Sequence, residues 1–181
     1  MKHPFYALLA VLILFSSCGK EENPFLIKKQ NIGLLTDSTQ VKDLKVVFAN
    51  DSVVTEKPSK FSKDNTIDIF DKQGAQLLIL IPEKDSDSTS VVETVQVMDS
   101  RFKTEKGIST LSTFKDISSN YTISHIDNLI NSVVVSVNEI NASFTIDKKE
   151  LPGNARFDMN LQIDASMIPD AAKIKYFMLH W

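Results

Sequence analysis

Cysteine is nearly absent. Cys18 is the single thiol in 181 residues, so no disulfide can form within the chain. Glycine is scarce at 5 residues, which leaves little room for a glycine-rich phosphate loop. Turns must instead use Asn, Asp, Ser and Lys, which bond their own backbone. Histidine occurs 3 times, as His3, His125 and His180, and neither His-Glu-x-x-His nor Gly-x-Ser-x-Gly is present. No apolar run is long enough to span a bilayer: the longest, residues 5–15, is about half of the ~20 needed. Charge of one sign is also missing. A formal net charge of -3 with interspersed lysines and acids excludes a strongly basic nucleic-acid binder.

The most specific pattern lies at the N-terminus. Lys2 and His3 precede the apolar run, and the small pair Ser16-Ser17 precedes Cys18. A basic start, a short apolar stretch and small residues at its end read as a secretory signal. Ser16-Ser17-Cys18 resembles a lipobox, with Phe15 where Leu is most usual. The resemblance implies cleavage before Cys18 and a diacylglyceryl thioether on its sulfur. The next residues, Lys20-Glu21-Glu22, resemble the short Lys-acidic-acidic export signal of Bacteroidetes lipoproteins. That implies lipid anchoring at the outer membrane, on the cell surface, with a periplasm-facing attachment as the other placement. The division expected is a signal peptide over 1–17, a lipidated tether over 18–24 and one domain over 25–181.

The remainder reads as an ordinary soluble chain, with 43% hydrophobic and 24% charged residues. About 160 residues can bury a sizeable core without covalent staples. A strand is expected at 25–27. Thr36 to Thr39 offer N-caps for a helix whose apolar residues Val41, Leu44, Val47 and Phe48 share a face. Strands follow at 52–55, 66–70, 77–81 and 91–98. The second and third form a hairpin around Asp71-Lys72-Gln73-Gly74. The 77–81 run is apolar on both faces, so a central strand is expected. Residues 56–65, with Lys57, Pro58, Lys60 and Lys63, form a polar loop, and residues 83–90 an acidic one.

The pattern then recurs. Gly33-Leu34-Leu35-Thr36 precedes Val41-Lys42-Asp43-Leu44, and Gly107-Ile108-Ser109-Thr110 precedes Phe114-Lys115-Asp116-Ile117. Strands are expected after the second helix at 121–126, 132–137 and 142–146. A turn follows at 151–154, then a last strand at 173–181, apolar on both faces and therefore covered on both. The expected fold is α+β: an antiparallel sheet with two short helices, as a tandem pair of helix-then-meander units over 25–100 and 101–181. This layout, with the Gly-x-x-Thr-x-x-x-x-Val-x-x-Leu pattern at Gly33, resembles the helix-plus-sheet modules of the β-lactamase-inhibitor-protein class and of the BamE/SmpA lipoproteins. The resemblance implies no catalytic residue.

Little else carries chemistry. His125 lies near Asp127, a pairing more typical of a surface hydrogen bond than of catalysis. Asp85-Ser86-Asp87-Ser88 opens like a calcium loop, but Ser90 and Gln96 stand where an EF-hand needs Gly and Glu. No metal ligand set and no cofactor is expected. Asp37-Ser38-Thr39, Asp51-Ser52-Val53 and Asp87-Ser88-Thr89 resemble a Bacteroidetes O-glycosylation sequon, which makes Ser38, Ser52 and Ser88 candidate sugar sites; cap and turn chemistry uses the same residues. The reading is a lipid-anchored, non-catalytic interaction module with a protein partner in the envelope. The alternatives are a small hydrolase or carbohydrate-binding subunit, and a structural accessory subunit of an outer-membrane complex.

Overall fold

The computed structural model describes residues 23–55, 66–84 and 87–181. The signal segment, Cys18, Lys20, Glu21 and Glu22 lie outside the described residues, as do the 56–65 loop, Asp85 and Ser86. Three short strands open the chain: β1 (Leu26–Lys28), β2 (Asn31–Ile32) and β3 (Leu35–Thr36). A 3-10 turn at Val41–Asp43 runs into α1 (Leu44–Val47), and a meander follows: β4 (Ser52–Thr55), β5 (Ile67–Phe70), β6 (Gln76–Pro82) and β7 (Val92–Val97). The second half repeats the order. It has β8 (Lys103–Thr104), α2 (Phe114–Asn120), β9 (His125–Asn128), β10 (Ser132–Val137), β11 (Ala142–Asp147), α3 (Gly153–Phe157) and β12 (Ile174–His180).

Eight strands form one sheet in the order β4-β5-β6-β7-β12-β11-β10-β9, with every neighbour antiparallel. Each half contributes a four-stranded set, and the halves meet through their last strands, β7 and β12. The fold is α+β, as expected. A smaller sheet, β3-β2-β1-β8, includes one parallel pair, β1 with β8.

The recurrence in sequence recurs in hydrogen bonds. Gln40 bridges Val91, and Thr113 bridges Lys173, each just before the last strand of its half. Val41 N–H donates to the Ser90 carbonyl and Phe114 N–H to that of Ala172; Lys42 N–H reaches Ser88 and Lys115 N–H reaches Asp170. Both helices close alike: Phe48 N–H bonds the Leu44 carbonyl and Tyr121 N–H that of Ile117, each at 2.8 Å. In α2 the Asp116 carboxylate also accepts from the N–H (2.7 Å) and hydroxyl (3.1 Å) of Thr113, which holds the first turn.

One face of the large sheet carries the core. Alternation sends Ile67, Ile69, Leu78, Leu80, Val95, Val97, Val133, Val135, Phe144, Phe177 and Leu179 inward, all nearly or fully buried. Leu44, Phe48, Phe114, Ile117 and Tyr121 from the helices join them, as do Ile27, Ile32, Leu35, Phe102 and Ile108 from the smaller sheet and its links. The Phe144 and Phe177 rings lie 4.6 Å apart at the seam between the halves.

The 77–81 strand is central, as expected: β6 lies between β5 and β7, with Leu78 and Leu80 facing the core and Ile79 and Ile81 half-buried on the other side. Three local expectations are corrected. The last strand is one-sided, with Phe177 and Leu179 inward and Tyr176 43% exposed. A register shift opposite Thr145/Ile146 returns Ile174 to the inner face. Tyr121 is not in a strand: it ends α2 and packs in the core, and β9 starts only at His125. Pro152 does not begin a simple turn but stands as N-cap of α3, a third short helix.

Two glycines take left-handed backbone at matching places, Gly33 at φ 57° and Gly107 at φ 82°. A Cβ on Gly33 would collide with the Pro24 carbonyl, whereas one on Gly107 meets no atom. Gly107→Ala should therefore cost about 1–2 kcal/mol of backbone strain alone, and Gly33→Ala clearly more. Equal losses in denaturant titrations would contradict the packing argument. At the seam, Phe177→Ala should lose about 3–5 kcal/mol in the same titration, and a loss below about 1 kcal/mol would place the core elsewhere.

Candidate functional site

Two places combine accessibility with unusual side chains. The first is a cavity of about 250 Å³ where the chain enters the fold. Pro24, Phe25 and Leu34 come to it from the start of the domain, Val47 and Asn50 from the end of α1, Asp71 and Lys72 from the β5–β6 turn, and Arg101 and Phe102 from the link between β7 and β8. Phe25 and Phe102 meet edge to face at 5.1 Å, and the Arg101 guanidinium lies 4.9 Å above the Phe25 ring.

Arg101 is tightly held. It donates to Asp71 Oδ2 at 2.6 Å and to Asp99 at 2.8 and 3.0 Å. Those bonds hold the Asp71 and Asp99 carboxyls below the ordinary aspartate range, Arg101 being the largest cause for both. Asp71 also takes the N–H groups of Gln73 and Ala75, which shapes the β5–β6 turn. Across the corner, Lys72 Nζ reaches Asn50 Oδ1 at 3.2 Å. With both carboxylates engaged, Arg101 offers no free charge to an anion.

The corresponding corner of the second half is built from other residues. Lys106 sits 4.2 Å above the Tyr121 ring and donates to Glu139 Oε2 at 3.0 Å and to the Asn120 carbonyl at 2.6 Å. Glu139, in the β10–β11 turn, also accepts the Thr122 N–H, and these bonds lower its pKa. In both halves a cation thus clips a hairpin turn to the region where the helix ends. Only in the first are two phenylalanines, Phe25 and Phe102, brought to the same corner.

The second place is the outer face of the eight-stranded sheet. One register row crosses every strand: Val54, Asp68, Ile79, Gln96, Met178, Ser143, Ser136 and His125. Ile81, Thr94 and His180 make a second row, and Tyr176, Thr145, Val134 and Asp127 a third. Seven strand spacings make the face about 34 Å wide. Ile79, Ile81, Met178 and Val134 are half-buried and Val54 and Tyr176 exposed. His180 Nε2 lies 2.8 Å from Ser143 Oγ and its Nδ1 is 3.4 Å from Thr94 Oγ1. Burial pushes the imidazole below its ordinary 6.5, partly opposed by Glu93. Ser143 is mid-strand between β10 and β12, where backbone N–H groups serve the ladders, and among the described residues the partners of His180 are the hydroxyls of Ser143 and Thr94.

The sequence-derived candidates fall apart in space. Ser38, Ser52 and Ser88 are all exposed, as a sugar acceptor requires. The Ser38 hydroxyl lies 3.1 Å from that of Thr36, and the Ser88 carbonyl caps Lys42, so these two serve the first helix start. Ser52 begins edge strand β4, on the outer face. Asp87 holds the Thr89 N–H and hydroxyl, the bonds that lower its pKa. His125 and Asp127 meet at 3.0 Å with both side chains exposed. Among the described residues no group of three His, Cys, Asp or Glu side chains is placed to hold a metal. Neither Arg101 nor the Ser143–His180 pair had a sequence signal, because each joins residues from separate strands or turns.

Asp71 and Asp99 are held below their ordinary value, so their bonds stabilise the fold above about pH 3.8 and lose that stabilisation as pH falls through the lower folded values. Arg101→Met should lower the thermal midpoint at pH 7 and flatten its decline on the acid side. A midpoint that falls as steeply in the variant as in the parent would show that the cluster does not carry the acid response.

No protein-family model matches this chain, and no curated protein matches it. Among solved structures the chain is similar to the uncharacterized protein yfeY from Escherichia coli, at 15% identity over 86% of this chain and 99% of that one, with a TM-score of 0.55. At that identity the likeness is one of fold.

Proposed function

We propose that this protein is a lipid-anchored envelope protein, attached through Cys18, that acts as a non-catalytic binding module for a protein partner. Lys20-Glu21-Glu22 is read as the signal that sends it to the outer membrane surface. The observation that carries the binding role is the outer sheet face, where Val54, Ile79, Ile81, Met178, Tyr176 and Val134 retain exposure in three register rows. A sheet face with this much apolar surface suits a partner of similar flatness. Polar Thr94, Gln96, Ser143 and His180 between the apolar groups would give that contact its specificity.

The test separates anchor from binding. Cys18→Ala should abolish the acyl mass and leave an uncleaved precursor. Ile79→Lys combined with Met178→Lys should cost less stability than a core truncation, because both side chains are half-buried outside the core and Asp68 stands opposite position 79. The same double variant should lose the partner that the parent protein retains when purified from native membranes. A variant that keeps the full set of co-purifying proteins would move the binding surface off this face.

A further inference from the structure

The corner around the entry cavity has a property that its role in folding does not require. Leu34 is 56% exposed at the cavity, and Val46 is 78% exposed on α1, next to Val47 of the cavity wall. The same corner is where the chain leaves the fold. Pro24 lies in the cavity wall, and the close approach of its carbonyl to Gly33 ties that exit to the residue before Leu34. Five peptide links separate Cys18 from Asn23. Even fully extended they reach only about 17 Å.

We propose that this corner is a bilayer-docking surface, with Leu34 and Val46 entering the interface of the membrane to which the chain is anchored. The inference rests on the reading of Cys18 as acylated. A short tether makes the contact intramolecular, so an apolar surface too small to bind a membrane from solution suffices once anchored. The occupant is the phospholipid surface itself and not an anionic headgroup: Arg101 is neutralised by Asp71 and Asp99, and Lys72, bonded to Asn50, shares the cavity wall with Asp51. The contact is therefore apolar and insensitive to salt. Docked in this way, the domain keeps the far edge of its sheet, at β9, away from the bilayer.

The test fixes the tether chemically, so that it does not depend on how cells process the chain. The protein beginning at Cys18 is coupled through that sole thiol to a maleimide lipid in phosphatidylcholine vesicles carrying brominated acyl chains. A tryptophan is introduced by Leu34→Trp or Val46→Trp, and by Phe157→Trp as the control. Phe157 is 79% exposed and lies by β9, since Asn128 donates to the adjoining Asp158 carbonyl. Emission is read as the difference from the parent, whose Trp181 supplies a constant background. The expected result is loss of most emission at positions 34 and 46, none at 157, and no change on raising salt. An interfacial side chain sits about 5–10 Å into the headgroup–acyl boundary, within reach of the bromines. Equal quenching at all three positions, no quenching at 34 and 46, or quenching that requires anionic lipid would overturn the proposal. The acyl mass of the protein from native membranes is measured separately. Its absence would refute the anchor in cells and leave the docking result standing.

Discussion

The antiparallel pairing of β7 with β12 is the contact on which the rest of the molecule depends. It is the longest-range join in the large sheet, linking Val95 with Leu179 and Val97 with Phe177. Without it each half would be a four-stranded set with its own short helices, and each would expose the edge of its last strand. With it the inner rows of both halves become one apolar surface, and Phe177, whose ring meets Phe144 of the neighbouring strand, is set beside Val97 of the first half. The cost is closure of a long loop, the chain between Val97 and Phe177. That cost grows only slowly with length, while each buried large side chain returns about 1.5–3 kcal/mol.

The seam also explains why the halves could diverge at their outer corners. The bonds they share lie where helix meets last strand, at Gln40–Val91 and Thr113–Lys173. The hairpin turns at Asp71 and Glu139 are further from it and need only one cation each to pin them. Arg101 serves the first and Lys106 the second. A guanidinium can bond two carboxylates in one plane while stacking on a ring, and an ammonium cannot. The first corner therefore recruits Asp99 and Phe25, and Phe25 and Phe102, in edge-to-face contact, form part of the cavity wall.

Much of this architecture was legible in the residues. Alternation placed nearly every strand of the large sheet, because a face packed on a core keeps a strict period of two. The Lys42-Asp43 and Lys115-Asp116 repeats marked the two helix starts, and the structure gives them matching backbone bonds, while only Asp116 adds a side-chain cap. The misses have a common cause. Tyr121 and Tyr176 are aromatic residues whose place is set by what covers them, and covering is a tertiary property. A run such as Leu77 to Ile81 reads the same whether its second face meets protein, a partner or water. Gly153 was misread because Pro-Gly signals a turn, yet Pro is also well suited to a helix start. The cavity was invisible for a different reason: Phe25, Asp71 and Arg101 stand far apart in sequence.

The position of exposed apolar groups gives the last step. A monomer with enough chain to bury a core does not need Leu34, Val46, Ile79, Met178 and Tyr176 at its surface, and a scattered few would call for no explanation. These are not scattered. One set gathers where the chain enters the fold, and the other lies in register rows across an open sheet. The two sets lie apart, one at the strand-end corner beside the β5–β6 turn and one on the sheet face. Two different surroundings would account for this, as proposed above: a membrane reached by a short tether at the corner, and a protein surface against the sheet.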